Sequence, residues 1–294
     1  MAASGPARSW SIHRKEMRPD AMAGPVAHPM PGDVRFTTRA APPSLDHAVL
    51  ELWHLDDPGA PHCGLPKPYV EIVVSLRGIH WWRAAPGMPE HRYATAWVTP
   101  VQDGPRYARA EGRRELVGAR LQPWAAKAWL GTLPPGNGAP PPRLSALLGR
   151  EAGLLRDSLK AADSLDSLFE RFAAWLEVRL PDRDAITLPA PCRDTDRAMD
   201  LARAVEATPR HYRRLFSGRT DLAPKRWLLL HRIDAVLRDP RLADPQFSLA
   251  VLACEHGFAD QAHLTREMKR FTGATPGQLR HRAAHYPPHM LMPR

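Results

Sequence analysis

The chain reads as an α+β protein. A small β-rich barrel with flanking helices precedes an all-α domain in which two helix-turn-helix units are joined by a helix. Three observations carry that reading. Short apolar runs alternate with turn signals between about residues 42 and 123. Two amphipathic stretches follow, at 143–159 and 164–180. The last third then carries one helical pattern twice, offset by about fifty residues.

Taken in order, residues 1–40 hold Pro, Ala, Met and Arg without periodicity, and they are expected to form a disordered tail. They contain no continuous apolar region of a secretory signal, and no window of about eighteen apolar residues occurs anywhere in the chain. Residues 41–182 are expected to be a β-rich sensor or dimerisation domain with helices at its end. YVEIVVSL (69–76) is its strongest strand, with ATAWVTPV (94–101) and ELVGARLQP (115–123) next. A Pro-Gly run at 133–142 separates strands from helices. In the second helical stretch Leu165, Leu168, Phe169, Phe172 and Leu176 form one stripe. That stripe suits packing on the barrel better than it suits a dimer helix. Three prolines in LPDRDAITLPAPCR mark an interdomain linker at 183–193 and leave 194–294 for the helical domain.

The segment SLAVLACEHGFADQAHLTREMKRFTGATPGQLR (248–280) spells out one unit. Leu249, Leu252, Ala253 and His256 recur at i, i+3, i+4 and i+7, the face of a first helix. Gly257 stands where the chain must turn, and Asp260 is placed to cap the second helix. There Leu264, Met268 and Phe271 share the buried face, and Gln261, Ala262, Thr265, Arg266 and Lys269 the opposite one. Gly273 and Pro276 stop the helix. TPRHYRRLFSGRTDLAP (208–224) lies over 260–276 and matches His211 to His263, Arg214 to Arg266, Thr220 to Thr272 and Pro224 to Pro276. AMDLARAV (198–205) repeats the first helix. The joining helix is 224–239, with Trp227, Leu230, Ile233 and Leu237 on its buried side. An apolar seam beneath a cationic second helix is what places a recognition helix in the major groove.

This arrangement resembles the DNA-binding domain of the AraC/XylS family of bacterial transcription regulators. The resemblance covers roughly the last hundred residues. It rests on Ala253, Gly257 and Phe258, on Leu264 to Arg266, and on the G-x-T-P-x-x-L-R exit from Gly273 to Arg280. It implies base-facing positions at Arg210, Arg213 and Arg214 in the first unit and at Gln261, Ala262, His263 and Arg266 in the second. It also implies a sequence-specific, cytoplasmic, nucleoid-associated regulator, with double-stranded DNA and RNA polymerase as partners. A small-molecule effector and a homodimer are left open. The first unit departs from the pattern. Glu206 stands where a turn glycine is usual and Asp221 replaces the later glycine, at a cost of about 1 kcal/mol for a non-glycine in a left-handed turn. Pro42-Pro43, Trp53, the 69–76 strand and the G-A-R-L-x-P segment (Gly118 to Pro123) are similar to the truncated cupin-like sensor domain of some AraC-type regulators.

Charge agrees with a nucleic-acid partner. The net charge is +10. Residues 193–294 hold 18 Lys+Arg against 11 Asp+Glu, the rest of the chain 23 against 20. Arg214 and Arg266 suit guanine or phosphate, Gln261 adenine, and Lys269 and Arg270 phosphates. Cys63, Cys192 and Cys254 form no framework, which fits a reducing compartment, and Cys254 is expected to be a small core residue.

Little points to an enzyme, a cofactor or a metal. No H-x-H pair occurs, His80 and His91 are isolated, and His62 beside Cys63 cannot complete a site. No G-x-S-x-G, phosphate loop or dinucleotide glycine run is present. Trp81, Trp82, Tyr93 and Trp97 either line an apolar effector pocket or fill the barrel core. Two other functions remain: a nucleoid-type binder without sequence preference, and an enzyme fused to a DNA-binding module, for which Cys63 alone supplies no reactive cluster.

Overall fold

The computed structural model describes residues 24–28, 33–134, 136, 138–183, 202, 207–283 and 290–291. Strands β1 (Val26–His28), β2 (Arg35–Ala40), β3 (Val49–Asp57), β4 (His62–Gly64), β5 (Val70–Arg83), β6 (His91–Tyr93), β7 (Ala96–Thr99), β8 (Arg106–Leu121) and β9 (Met290–Leu291) form one antiparallel sheet. Its centre is β8, which pairs with β5 on one side and with β3 and β4 on the other. The three strands expected from the sequence are β5, β7 and the second half of β8.

The expected disordered tail at 1–40 is corrected over its second half. β1 pairs with β2 and β2 with β3, so the sheet begins before residue 41. Arg35–Ala40 shows little apolar alternation because Phe36 is its one large apolar residue. The β-branched Thr37 and Thr38 hold the extended backbone, and Phe36 packs 6.4 Å from the Trp53 ring. Residues 1–23 and 29–32 lie outside the described residues.

Both faces of the sheet are covered, which is why 69–76 reads as an almost unbroken apolar run. Leu52, Ile72, Val74, Val117 and Ala119 face outward, against α1 (Pro123–Leu130), α2 (Leu144–Leu148), α3 (Glu151–Lys160) and α4 (Leu165–Glu177). Trp53, Leu55, Val73, Trp82, Trp97 and Leu116 face inward. On β8 the inward positions are even throughout. On β5 they are odd up to Val73 and even from His80 on, because register shifts on either side of Arg77 insert a bulge. Gly78 makes the bend with φ +81°; a Cβ there would sit 2.7 Å from the Arg113 carbonyl oxygen. Gly118 has a different duty: a Cβ would lie 2.3 Å from the Trp53 ring, its neighbour across the β3–β8 pair.

The helices differ from expectation in detail. Helix α1 had no sequence signal of its own. The stretch at 143–159 breaks into α2 and α3 at Gly149, which takes φ +59°. Helix α4 is capped by Ser164, whose side chain accepts from the Ser167 amide, and its Leu168, Phe169, Phe172 and Leu176 are buried. Leu165 is on the same stripe but at the first position of the helix, and is exposed.

The C-terminal helices are α5 (Pro209–Thr220), α6 (Pro224–Arg238), α7 (Leu249–Glu255), α8 (Gln261–Thr272) and α9 (Pro276–Ala283). The first helix expected at 198–205 falls outside the described residues except for Ala202, as do Glu206, Cys192 and the linker from 184 on. Besides the cluster on the inner face of the sheet, two cores run through the molecule. One is continuous from the outer face of the sheet through Trp124 and Phe172 to Tyr212, Phe216 and Trp227 of the first unit. The other gathers Ile233 of α6 and Leu252, Phe258, Leu264, Met268 and Phe271 of the second unit, with Leu65 from the segment that follows β4. Trp227 is fully buried, donates its indole N–H to the Pro68 carbonyl at 3.1 Å, and meets Trp124 edge-on at 5.6 Å. Trp227→Ala should therefore cost roughly 3–5 kcal/mol. It should lower the urea midpoint of the sheet and the first unit together; a barrel signal that melts unchanged would show that the core is not shared.

Candidate nucleic-acid interface

The second unit is set by its caps. Ser248 caps α7, and the turn closes through the Phe258 amide donating to the Ala253 carbonyl at 2.9 Å, with Gly257 at φ +75°. Asp260 caps α8 by accepting from the His263 amide at 2.6 Å. Leu264, Met268 and Phe271 are buried beneath it. At the exit Thr275 and Gln278 form a reciprocal cap, and the Arg280 guanidinium donates to the Leu242 and Phe247 carbonyls. Asp239, at the end of α6, fastens the unit from behind. It accepts from Arg241 at 2.7 Å and pairs with His256 at 2.9 Å, and the Arg241 side chain, then His256, hold its carboxyl well below the usual carboxylate range. Cys254 is exposed, not in the core as expected: it lies outside the stripe of Leu252 and Ala253.

The first unit repeats this geometry at the matched positions. Thr208 caps α5, and Tyr212 and Phe216 are buried where Leu264 and Met268 are in α8. The Thr220 hydroxyl donates back to the Phe216 carbonyl at 2.8 Å, as Thr272 does to Met268 at 2.7 Å. Asp221 takes φ +59° where Gly273 takes +75°, and among the described residues it is the non-glycine residue with positive φ. Its carboxylate pairs with Lys127 of α1.

Arg210, Arg213, Arg214, Gln261, Ala262, Arg266, Lys269 and Arg270 are all exposed on α5 and α8; Thr265 is half-buried. His263 is half-buried as well and is tied to the turn: its Nδ1 accepts from the Ala259 amide at 3.3 Å and its ring meets Phe258 edge-on at 5.4 Å. Among the described residues Arg210, Arg213, Arg214, Arg266 and Lys269 have no carboxylate within 4 Å, whereas Arg270 lies 3.7 Å from Glu267. Two cations of α6 contrast with them. Arg226 pairs with Asp103, and Arg238 with Asp234 at 3.0 Å and Glu51 at 3.3 Å.

The inner face of the sheet encloses a cavity of about 120 Å³. Of the aromatic cluster read from the sequence, Trp82 and Trp97 line it, Tyr93 is buried behind Trp97, and Trp81 points away to donate to Glu111 at 2.8 Å. Sequence reasoning missed Arg106, Arg114 and Arg120, which line it from β8; their even numbering on one long strand was the available signal. The structure also brings His62 and His80 together, with ring centres 6.1 Å apart. The guanidinium of Arg114, ion-paired to Asp57, reaches both rings and would repel a metal cation there. An ionic chain leads from this wall to α6: Lys67 to Glu71, Glu71 to Arg120, Arg120 to Glu51, and Glu51 to Arg238.

The class of protein follows from this geometry. Residues 201–282 match the family model described as a helix-turn-helix domain, and the domain is of the AraC type. The C-terminal part of the chain is thus a helix-turn-helix domain of the DNA-binding kind. A comparison with curated protein sequences finds no match. Among solved structures, an apo variant of ToxT from Vibrio cholerae aligns over 82% of this chain and 98% of its own, at 9% identity and a TM-score of 0.39. An RmlC-like cupin from Shewanella frigidimarina aligns over 33% of this chain and 84% of its own, at 10% identity and a TM-score of 0.26. Likeness at this level transfers neither ligand nor mechanism. No described helix is long and apolar enough to cross a membrane.

Two measurements check the geometry. Gly257→Val should destabilise the protein by at least about 1 kcal/mol, since a β-branched residue at positive φ is strained; an unchanged melting temperature would refute the turn. Burial first, then the Arg114 charge, holds His62 and His80 well below the usual histidine range. The unfolded chain protonates these rings near pH 6.5 and the folded chain does not, so stability present above that pH is lost as the pH falls. Thermal melts from pH 8 to 5 should show this loss, and it should be shallower in the His62→Gln/His80→Gln double variant.

Proposed function

We propose that the chain is a sequence-specific regulator whose α5 and α8 read two adjacent major-groove segments of double-stranded DNA in the cytosol. The observation that carries this reading is the set of cations with no carboxylate partner, Arg210, Arg213, Arg214, Arg266 and Lys269, on the exposed faces of the two second helices. An arginine held by a carboxylate would have to break that pair to meet a base or a phosphate; these do not. Arg214 and Arg266 suit guanine edges, Gln261 an adenine, and Lys269 and Arg270 phosphates. His263 supports the turn and contributes to readout through the backbone it fixes. RNA polymerase is the protein partner of such a regulator, the sheet cavity is the place for a small-molecule effector, and the strand-rich body is the place for any homodimer contact. A nucleoid-type binder would need the same charge but no base-edge preference.

Binding-site selection separates the two. Arg266→Ala should weaken binding by about 1–3 kcal/mol and relax a few base pairs in one half of the site, and Arg214→Ala should do so in the other half, roughly one helical turn away. Lys269→Ala should weaken all sequences alike and reduce the salt slope by about one unit. If Arg214→Ala and Arg266→Ala relax the same base pairs, or neither changes the preferred sequence, the tandem reading fails.

A further inference from the structure

The polar side-chain atoms left without a partner on the cavity wall are all donors. They are the indole N–H groups of Trp53 and Trp82 and the Nε and Nη1 of Arg106. Arg106 is 5% exposed; its Nη2 donates to the Gly136 carbonyl, and its guanidinium lies 5.2 Å from the centre of the Trp82 ring. The other cations on the wall each have a carboxylate: Lys67 has Glu71, Arg114 has Asp57, and Arg120 has Glu51 and Glu71. Arg106 has none within 4 Å among the described residues, and Asp103, whose charge it feels, is engaged by Arg226. Burial lowers the Arg106 pKa to about 10, which leaves it cationic at neutral pH. A buried cation without a counter-charge is costly, and the cost is removed by an anion that accepts from it.

Shape narrows the anion. Phe36, Leu55, Val73, Trp97 and Leu116 supply an apolar wall around about 120 Å³. A dry protein cavity of about 150 Å³ holds a benzene molecule, so the space here takes one ring or its equivalent. One unmatched positive charge calls for one negative charge, and a monocarboxylate loses less hydration than a phosphate dianion when it enters such a site.

We propose that the cavity binds a small organic monocarboxylate, with its carboxylate on the Arg106 guanidinium and a compact apolar body of about one ring against Trp82 and Trp97. The inference deepens the effector reading above, on which it rests for its regulatory meaning. It adds the ligand's chemical class and its anchor.

The test is calorimetric titration of the full chain, without DNA, with cyclohexanecarboxylate, phenylacetate and 4-methylpentanoate, each beside its neutral amide and beside acetate and phosphate. At least one of the three carboxylates should bind once per chain, at least tenfold more tightly than its amide, acetate or phosphate. Arg106→Gln should lose at least tenfold in affinity, and Arg106→Lys should recover part of it. Binding by none of the three, amides as tight as acids, acetate or phosphate as tight as the larger acids, or a folded Arg106→Gln with unchanged affinity would each overturn the proposal. Should Arg106→Gln fail to fold, the acid and amide comparison on the unaltered chain decides. The DNA arm is separate: a carboxylate that binds but leaves DNA affinity unchanged overturns the effector reading and leaves the ligand assignment standing.

Discussion

Trp227 is the contact on which the arrangement of the molecule turns. It belongs to the helix that joins the two helix-turn-helix units, yet it is buried against Trp124 behind the sheet and against Phe216 of the first unit, at 5.6 and 5.0 Å. Its indole N–H is satisfied only by Pro68, on the approach to β5. One side chain thus fixes the joining helix to the sheet and the first recognition helix to the joining helix. Arg226 and Arg238 of the same helix then pair with Asp103 and Glu51 of the strand-rich body. Burial supplies most of the energy and the ion pairs supply direction, because a guanidinium is satisfied only when its acceptors stand in the right places.

This places the two units in different mechanical circumstances. The first shares a core with the sheet and its helices; the second has its own, joined from the strand-rich body by Leu65 just after β4. The ionic chain from Lys67 through Glu71, Arg120 and Glu51 to Arg238 starts on the cavity wall and ends on the joining helix. Arg106 lines the same cavity but stands outside this chain, held by the Gly136 carbonyl and the Trp82 ring.

How much of this could be read from residues alone depended on whether the signal was local. The second unit was legible because its caps, its turn glycine and its apolar stripe all lie within 248–280 and each has one structural meaning. The repeat was legible down to the Thr220 and Thr272 hydroxyls, which make the same bond in both copies. Cys254 was misplaced because a seven-residue helix buries so narrow a stripe that its neighbours Leu252 and Ala253 fill it. Strand β2 was missed because its stability comes from the partner strand. The cavity was the least legible part. Arg106, Arg114 and Arg120 are inward by strand parity, and parity can be followed only when the strand ends and bulges are known.

The bulge beside Gly78 has a consequence for how this pocket can vary over evolutionary time. It is the single place where β5 changes which of its side chains look inward, so His80 and Trp82 face the cavity while Trp81 faces water. A deletion of one residue there would exchange Trp81 for Trp82 and replace the lining along the outer half of the strand. Ligand preference in such a sheet can therefore be rewritten by a change of chain length, with every strand pair and both helical units left as they are.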